Sequence, residues 1–221
     1  MDCKAAGRNV SEPLSVNYPA FFAEIPPITL FDPLADFFGA PAQGIVEFHF
    51  IDVVRQAGHC CPTIAGSWLM AREGLKALYG SEMPQRGNIA VAMQKPVTEG
   101  VTGVMANLFT LVTGATELSG FHGLAGQFDR RGQLSFSNPI SGTVRFTRKD
   151  TLKHVTVAFD ASAIPVNPAI GNLMPLMLAG EATPQQKKEF QQHWQERVRM
   201  ILLHNDPQRP LVTLTSQGFH V

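Results

Sequence analysis

The chain has 221 residues, 44% hydrophobic and 16% charged, so it can bury one sizeable core but not two large ones. Eighteen Lys and Arg balance eighteen Asp and Glu, which gives no general attraction to nucleic acid or to an anionic membrane, and we expect neither as a partner. The first residues, MDCKAAGRNV, lack the signal-peptide pattern, and no apolar run reaches the roughly 20 residues that span a bilayer. We therefore expect a cytoplasmic protein.

The first 43 residues predict an N-terminal arm. From residue 11 onward, prolines alternate with phenylalanines, which is too aromatic a composition for a disordered tail. The arm could cover its own domain or a second subunit, and the sequence leaves this open. Within it, Asp32, Pro33 and Gly39 have the positions of an N-cap, a first-turn proline and a terminating glycine, which predicts a short helix over 34–38.

Residues 44–50 predict a strand because their apolar side chains alternate. Glu47 and His49 fall on the face opposite to that of Phe48 and could reach one site together. A histidine in such a strand is also commonly just hydrogen-bonded. Residues 51–57 then predict a short helix that ends at Gly58.

The stretch from Gly58 to Gly80, GHCCPTIAGSWLMAREGLKALYG, carries the candidate site. His59, Cys60 and Cys61 directly precede Pro62. Proline suits the first turn of a helix, because an amide hydrogen at that position would have no acceptor within the helix. Partial positive charge at that helix start would favour the thiolate of Cys61. The adjacent cysteines suit thiols better than a mutual disulfide. A thiolate beside an imidazole can hold a metal or attack an electrophile.

The rest of the chain alternates helices and strands. Spacing and turn residues predict a strand over 88–93, a helix that follows Glu99-Gly100 and ends at Gly114, and a glycine-rich loop over 116–126 that contains His122. Three strands should follow, over 133–136, 142–148 and 152–159. Residues 164–180 are apolar and interrupted by prolines, and could be core, a pocket lid or a subunit contact. A capping box at Thr183 begins an amphipathic helix, and 211–215 predict a closing strand.

On residue chemistry alone, the metal hypothesis starts from His59 and Cys61, which can face one ion when the backbone between them is extended. A closed zinc site needs four ligands, and a catalytic site needs three plus water. His122 is the best further candidate and His49 the next. Cys60, Glu47 and Glu99 could contribute from the surroundings.

Two blocks of the sequence resemble a known family. GHCCPTIAGSWLMAREGLKAL is similar to the signature of the FmdE family, named for a component of molybdenum or tungsten formylmethanofuran dehydrogenase, and EGVTGVMANLFTLVTGATELSGFHGLAGQFDRRGQLSF is similar to its second block. Together they cover roughly residues 45 to 148. The resemblance implies an α+β core of a helix, a strand, a second helix and three more strands in a mixed sheet. It also implies a bound metal, usually zinc, and a homodimer.

The chain departs from that family at informative positions. Glu99 and Ala115 stand where the family commonly has cysteines, and a helix over 184–203 replaces the C-terminal zinc ribbon of some members. Only His59 and Cys61 carry over directly as ligands. The family name does not imply formylmethanofuran oxidation here, because the chain offers neither iron-sulfur cysteines nor a pterin site.

These observations predict an N-terminal arm (1–43), a metal-binding core (44–160) and a C-terminal helical extension packed on it (161–221). The expected function is metal binding, with zinc as the first choice and iron, nickel or copper as other candidates, in support of hydrolytic or accessory chemistry. Two alternatives stay open. One is metal-free thiol catalysis with Cys61 as nucleophile and His59 or His122 as base. The other is a dimeric module that covers a small molecule with residues 164–178.

Overall fold

The computed structural model describes residues 17 to 217, which form six α-helices and seven strands. In chain order these are β1 (Ile28–Phe31), α1 (Pro33–Phe38), β2 (Ile45–Phe48), α2 (Phe50–Ala57), α3 (Pro62–Tyr79), β3 (Ile89–Met93), α4 (Thr102–Thr113), β4 (Leu134–Ser135), β5 (Val144–Arg148), β6 (His154–Phe159), α5 (Pro168–Ala179), α6 (Pro184–Leu202) and β7 (Val212–Gln217). The predicted α+β class is confirmed.

The main sheet has five strands in the order β4-β3-β5-β6-β7. β3 pairs with β4 in parallel, and every other neighbouring pair is antiparallel, so the sheet is mixed. Val91 of β3 lies opposite Phe146 of β5, and Phe146 lies opposite Val155 of β6, which places one row of buried side chains on a single face. Along the chain, α3, β3, α4, β4, β5 and β6 follow one another, and β7 adds the outer strand beside β6.

α3 packs across this buried face. Trp68, at its centre, has no exposed surface. Two glycines allow the helix to approach the strands closely, because a Cβ atom on Gly66 would lie 2.4 Å from the Phe159 ring and one on Gly74 would lie 2.8 Å from the Phe146 ring. α3 also contacts α4 and α6, so it is the element on which both the sheet and the other long helices converge.

The described part of the arm packs on the rest of the chain. β1 was not predicted, because it follows Pro26-Pro27, but it pairs with β2 in an antiparallel two-stranded sheet. Phe21, Ile25 and Leu30 belong to the same hydrophobic cluster as Trp68 and Leu202. The arm's first sixteen residues lie outside the described range, and the divisions at residues 43 and 160 stay predictions.

The apolar segment that the sequence left undecided forms a helix. Asn167 caps α5 by accepting a hydrogen bond from the Ala169 amide, and Pro168 occupies its first turn. Leu173 is buried as α5 packs against α6, while Leu178 is 81% exposed. α6 begins as predicted with a capping box between Thr183 and Gln186.

None of the helices within residues 17–217 combines the length and hydrophobicity needed to cross a bilayer.

Candidate functional site

The predicted site lies at the junction of α2 and α3. α2 ends at Gly58, which adopts a left-handed conformation with φ of 73°, and its amide donates to the carbonyl of Val54. This turn exposes the imidazole of His59. Nδ1 of His59 lies 3.0 Å from the Ala57 carbonyl oxygen, which can only accept, so Nδ1 is the donor of this hydrogen bond.

The two cysteines differ in environment. Burial, reinforced by the neighbouring sulfur of Cys61, raises the pKa of Cys60 to about 12. The carbonyl oxygen of Cys60 also accepts a hydrogen bond of 3.0 Å from Nε1 of Trp194, which fixes the turn against α6. Cys60 is therefore a protonated thiol at neutral pH. Cys61 is half-buried and is the N-cap residue of α3, as the sequence indicated.

The other candidate residues lie in separate surroundings. Nε2 of His49 pairs with Oε1 of Glu47 at 2.8 Å, and both side chains are about half exposed. Glu99 pairs with Nζ of Lys95 at 2.5 Å near the start of α4. His122 is exposed in the glycine-rich loop near Asp129. Hydrogen bonds from Arg131 are the main cause of the lowered pKa of Asp129, and the interaction with His122 is the smallest.

The donor set falls short of a complete metal site. Within residues 17–217, no three His, Cys, Asp or Glu side chains come together in an arrangement that could hold a metal ion. His59 and Cys61 would supply two donors, whereas a catalytic zinc site needs three and a structural one needs four. Two donors complete neither kind of site, so zinc binding at this turn and its full ligand set stay predictions.

The sequence did not reveal a cavity of about 380 Å³ between α3, α4 and the sheet. Three methionines from three elements line it, Met70 of α3, Met93 of β3 and Met105 of α4, together with the ring of Phe159. The polar lining includes Thr63, Gln94, Lys95, Glu99, Thr102 and Thr143. The cavity thus joins a flexible apolar wall to a polar rim.

Two helices begin at this cavity. Pro62 and Thr63 of α3 line it, and so do Val101 and Thr102 at the start of α4. In the described part of the chain, no side chain caps the N-terminus of either helix. Unpaired amides at helix N-termini carry partial positive charge and favour an anionic or hydrogen-bond-accepting group. Only one feature of the sequence indicates that the starts of α3 and α4 form a site: neither helix is preceded by a residue whose side chain caps it.

A smaller cavity of about 140 Å³ adjoins His59. It lies between α2 and α4, with Val53, Ile64 and Leu108 among its apolar lining residues. Gln56 partly closes it by donating from Nε2 to the Asn107 carbonyl oxygen at 3.1 Å. Its volume is below the range typical of ligand pockets, so the larger cavity is the better candidate.

No protein-family model matches the sequence, and no curated protein matches it either.

Proposed function

We propose that the protein binds a small amphipathic molecule, with an apolar body and an acidic group, in the cavity between α3 and α4. The observation that carries this proposal is the meeting of two uncapped helix N-termini at one apolar cavity. Its volume of about 380 Å³ lies within the range of small-molecule pockets. The sequence left open a small-molecule module in which residues 164–178 cover the ligand. In this proposal residues of α3 and α4 contact the ligand instead, because they line the cavity and no residue within 164–178 does so.

The apolar body of the ligand would contact the methionines and Phe159. Met70 and Met93 are at most 1% exposed and form the buried floor of the cavity, whereas Met105 is only partly buried. Methionine side chains adapt to ligands of different shape because they are unbranched and polarisable. Each CH₂ group of a ligand that leaves water for such a wall contributes about 0.8 kcal/mol.

The acidic group would lie at the two helix starts. Lys95 also lines the cavity, but its charge is already balanced by Glu99, and the Thr102 amide donates to the Glu99 carbonyl. The positive potential would therefore come from the other amides of the two helix starts. Favourable charge at a helix N-terminus contributes about 0.3–1 kcal/mol at an exposed site and up to about 2 kcal/mol when partly buried. Two such ends should therefore distinguish an acid from a neutral molecule of the same length.

Octanoate and octanol test this proposal as matched probes, because they share an apolar chain and differ in charge. Calorimetric titration should show saturable binding of one octanoate per chain and weaker binding of octanol. Met105→Trp should weaken octanoate binding at least tenfold, because the indole occupies part of the cavity. Met83→Trp, which adds the same side chain at a half-exposed position away from the cavity, is the control.

Saturable binding of octanoate that Met105→Trp weakens at least tenfold and Met83→Trp preserves would support the proposal. If octanoate and octanol bind equally well, the helix termini do not contribute to binding. If Met105→Trp and Met83→Trp bind octanoate equally well, the cavity is not the binding site.

Metal binding at His59 and Cys61 is a second candidate function. Its support is the hydrogen bond from Nδ1 of His59 to the Ala57 carbonyl, because metal-ligating histidines commonly donate their other ring nitrogen in this way. Cobalt(II) titration tests it through the thiolate absorption band of a Cys61 complex. That band should disappear in Cys61→Ser and persist in Cys60→Ser. No band in the unmodified protein would contradict the candidate. Homodimer formation stays a prediction that light scattering can test.

A further inference from the structure

A third cavity, of about 320 Å³, lies beside a buried cluster of three charged residues. Asp32 accepts hydrogen bonds from Nη1 of Arg86 at 2.8 Å and from Nη2 of Arg130 at 2.7 Å. The side chains of Asp32 and Arg130 are only 5% and 6% exposed, and that of Arg86 is 24% exposed. Because Arg86 and Arg130 both line the cavity, the cluster forms part of its wall.

The cluster carries one more positive charge than negative charge. Asp32 is the only carboxylate of residues 17–217 within ion-pair distance of either arginine. Burial lowers the pKa of Arg130, and repulsion from Arg86 lowers it further, while the attraction of Asp32 opposes both effects. Burying a charge without a counter-charge destabilises the folded state, so the excess positive charge of the cluster calls for an anionic partner.

Arg130 also has unused hydrogen-bond donors. Its Nη2 bonds to Asp32, but its Nε and Nη1 are buried and have no acceptor among the described residues. Gly87 is needed beside this guanidinium, because a Cβ atom there would lie 1.4 Å from Nη1. Arg86, in contrast, has a further acceptor in the Leu111 carbonyl oxygen, at 3.1 Å from Nη2. The unmet demand for an acceptor therefore centres on Arg130.

We propose that this cavity binds a small oxyanion, a phosphate or a carboxylate group, as the missing partner of Arg130. An oxyanion supplies both the counter-charge and several acceptor atoms, and a guanidinium matches its planar, bidentate geometry. The amide side chains of Asn88 and Gln127 line the cavity and can donate further hydrogen bonds. Pro33 and Phe128 add apolar side chains to the wall.

This site is independent of the cavity proposed for the amphipathic ligand. The two cavities share no lining residue and lie towards opposite ends of α4. Thr102, the first residue of α4, lines the larger cavity, whereas the carbonyl of Leu111, near its last residue, binds Arg86. Loss of one binding activity should therefore leave the other unchanged.

Inorganic phosphate and acetate are the probes, titrated into the full chain at pH 7 with ionic strength held constant by sodium chloride. Binding to the folded state raises Tm with ligand concentration. Phosphate, acetate or both should raise Tm beyond the chloride baseline, and the stronger probe identifies a phosphate-bearing or a carboxylate-bearing ligand. If neither probe does so, the proposal is wrong.

Gln127→Glu is the diagnostic variant. It places a carboxylate at the cavity wall without disturbing the backbone hydrogen bonds that residue 127 exchanges with Leu124. The new charge should compete for Arg130 and weaken binding of the stronger probe at least tenfold. Gln191→Glu makes the same change on the exposed surface of α6 and should leave binding within twofold of the unmodified chain. Equal binding by the two variants would place the anion elsewhere and overturn the proposal.

Discussion

Substituting alanine for each of two glycines in α3 tests how the helix is packed on the sheet. A Cβ atom on Gly66 would lie 2.4 Å from the Phe159 ring, and one on Gly74 would lie 2.8 Å from the Phe146 ring. Ordinary contact begins near 3.4 Å, so the rings would have to move by about 1 Å and about 0.6 Å. On distance alone, Gly66→Ala should be the more damaging change.

The surroundings of the two rings reverse this expectation. Phe146 is fully buried and packs edge-on against Phe109, with 5.3 Å between ring centroids, so it has no space to enter. Phe159 is only partly buried and lines the cavity of about 380 Å³, so its ring can move into that space. The same added methyl group therefore meets a rigid neighbour at one position and a movable one at the other.

The expected free energies follow from two opposing effects. Alanine stabilises a helix interior by about 1 kcal/mol relative to glycine. Overpacking a tight core costs about 1–3 kcal/mol. Gly74→Ala should therefore destabilise the protein by about 1 kcal/mol, whereas Gly66→Ala should be neutral or stabilising by up to about 1 kcal/mol.

Urea unfolding monitored by circular dichroism measures this difference, provided that the m-value is unchanged. Gly66→Ala should also weaken octanoate binding, because the displaced ring takes up cavity volume, while Gly74→Ala should leave it unchanged. A Gly66→Ala protein that is less stable than Gly74→Ala would refute the view that Phe159 has room to move.

Three further predictions concern single side chains. Asp32→Asn should keep the cap on α1 but leave two arginines without their carboxylate, so urea unfolding should show a loss of about 3 kcal/mol. Burial raises the pKa of Asp32, but the hydrogen bonds from Arg86 and the Leu34 amide and the charges of both arginines together lower it more, so the pKa lies below its ordinary value. The stabilisation from Asp32 is therefore present above about pH 4 and should be lost as the pH falls through the lowered pKa, a dependence that Asp32→Asn should remove. Because burial raises the pKa of Cys60 to about 12, stability should fall between about pH 9 and pH 12 as the unfolded thiol ionises first, and Cys60→Ala should flatten that fall.

Local sequence signals predicted the regular elements well where they agreed with tertiary packing. α3, α4 and α6 follow from apolar spacing at helical period, and α6 also follows from its capping box. α5 was not predicted because Pro175 lies inside it, and a proline usually ends a helix. β1 was missed because its four residues follow two prolines, and only pairing with β2 shows that they form a strand.

The sequence placed individual candidate residues on their elements but did not show which of them lie together. It placed His59 and Cys61 at the start of α3, and the structure has them there. His49 pairs with Glu47, which the strand alternation put on the same face, and His122 lies in the loop near Asp129. Such convergence depends on how loops pack, which no short-range spacing encodes.

The two ends of α4 show what tertiary structure adds to the sequence pattern of a helix. At its C-terminal end, the helix carbonyl of Leu111 accepts from Arg86, so the partial negative charge of that end already has a cation from the chain. At its N-terminal end, Glu99 is the nearby acid, but its charge is balanced by Lys95. The start of α3 lies at the same cavity and adds positive potential of its own. The chain therefore supplies a partner for the C-terminal end of α4, and the acid proposed above would be the partner of the N-terminal end, which is why octanoate and octanol are expected to differ.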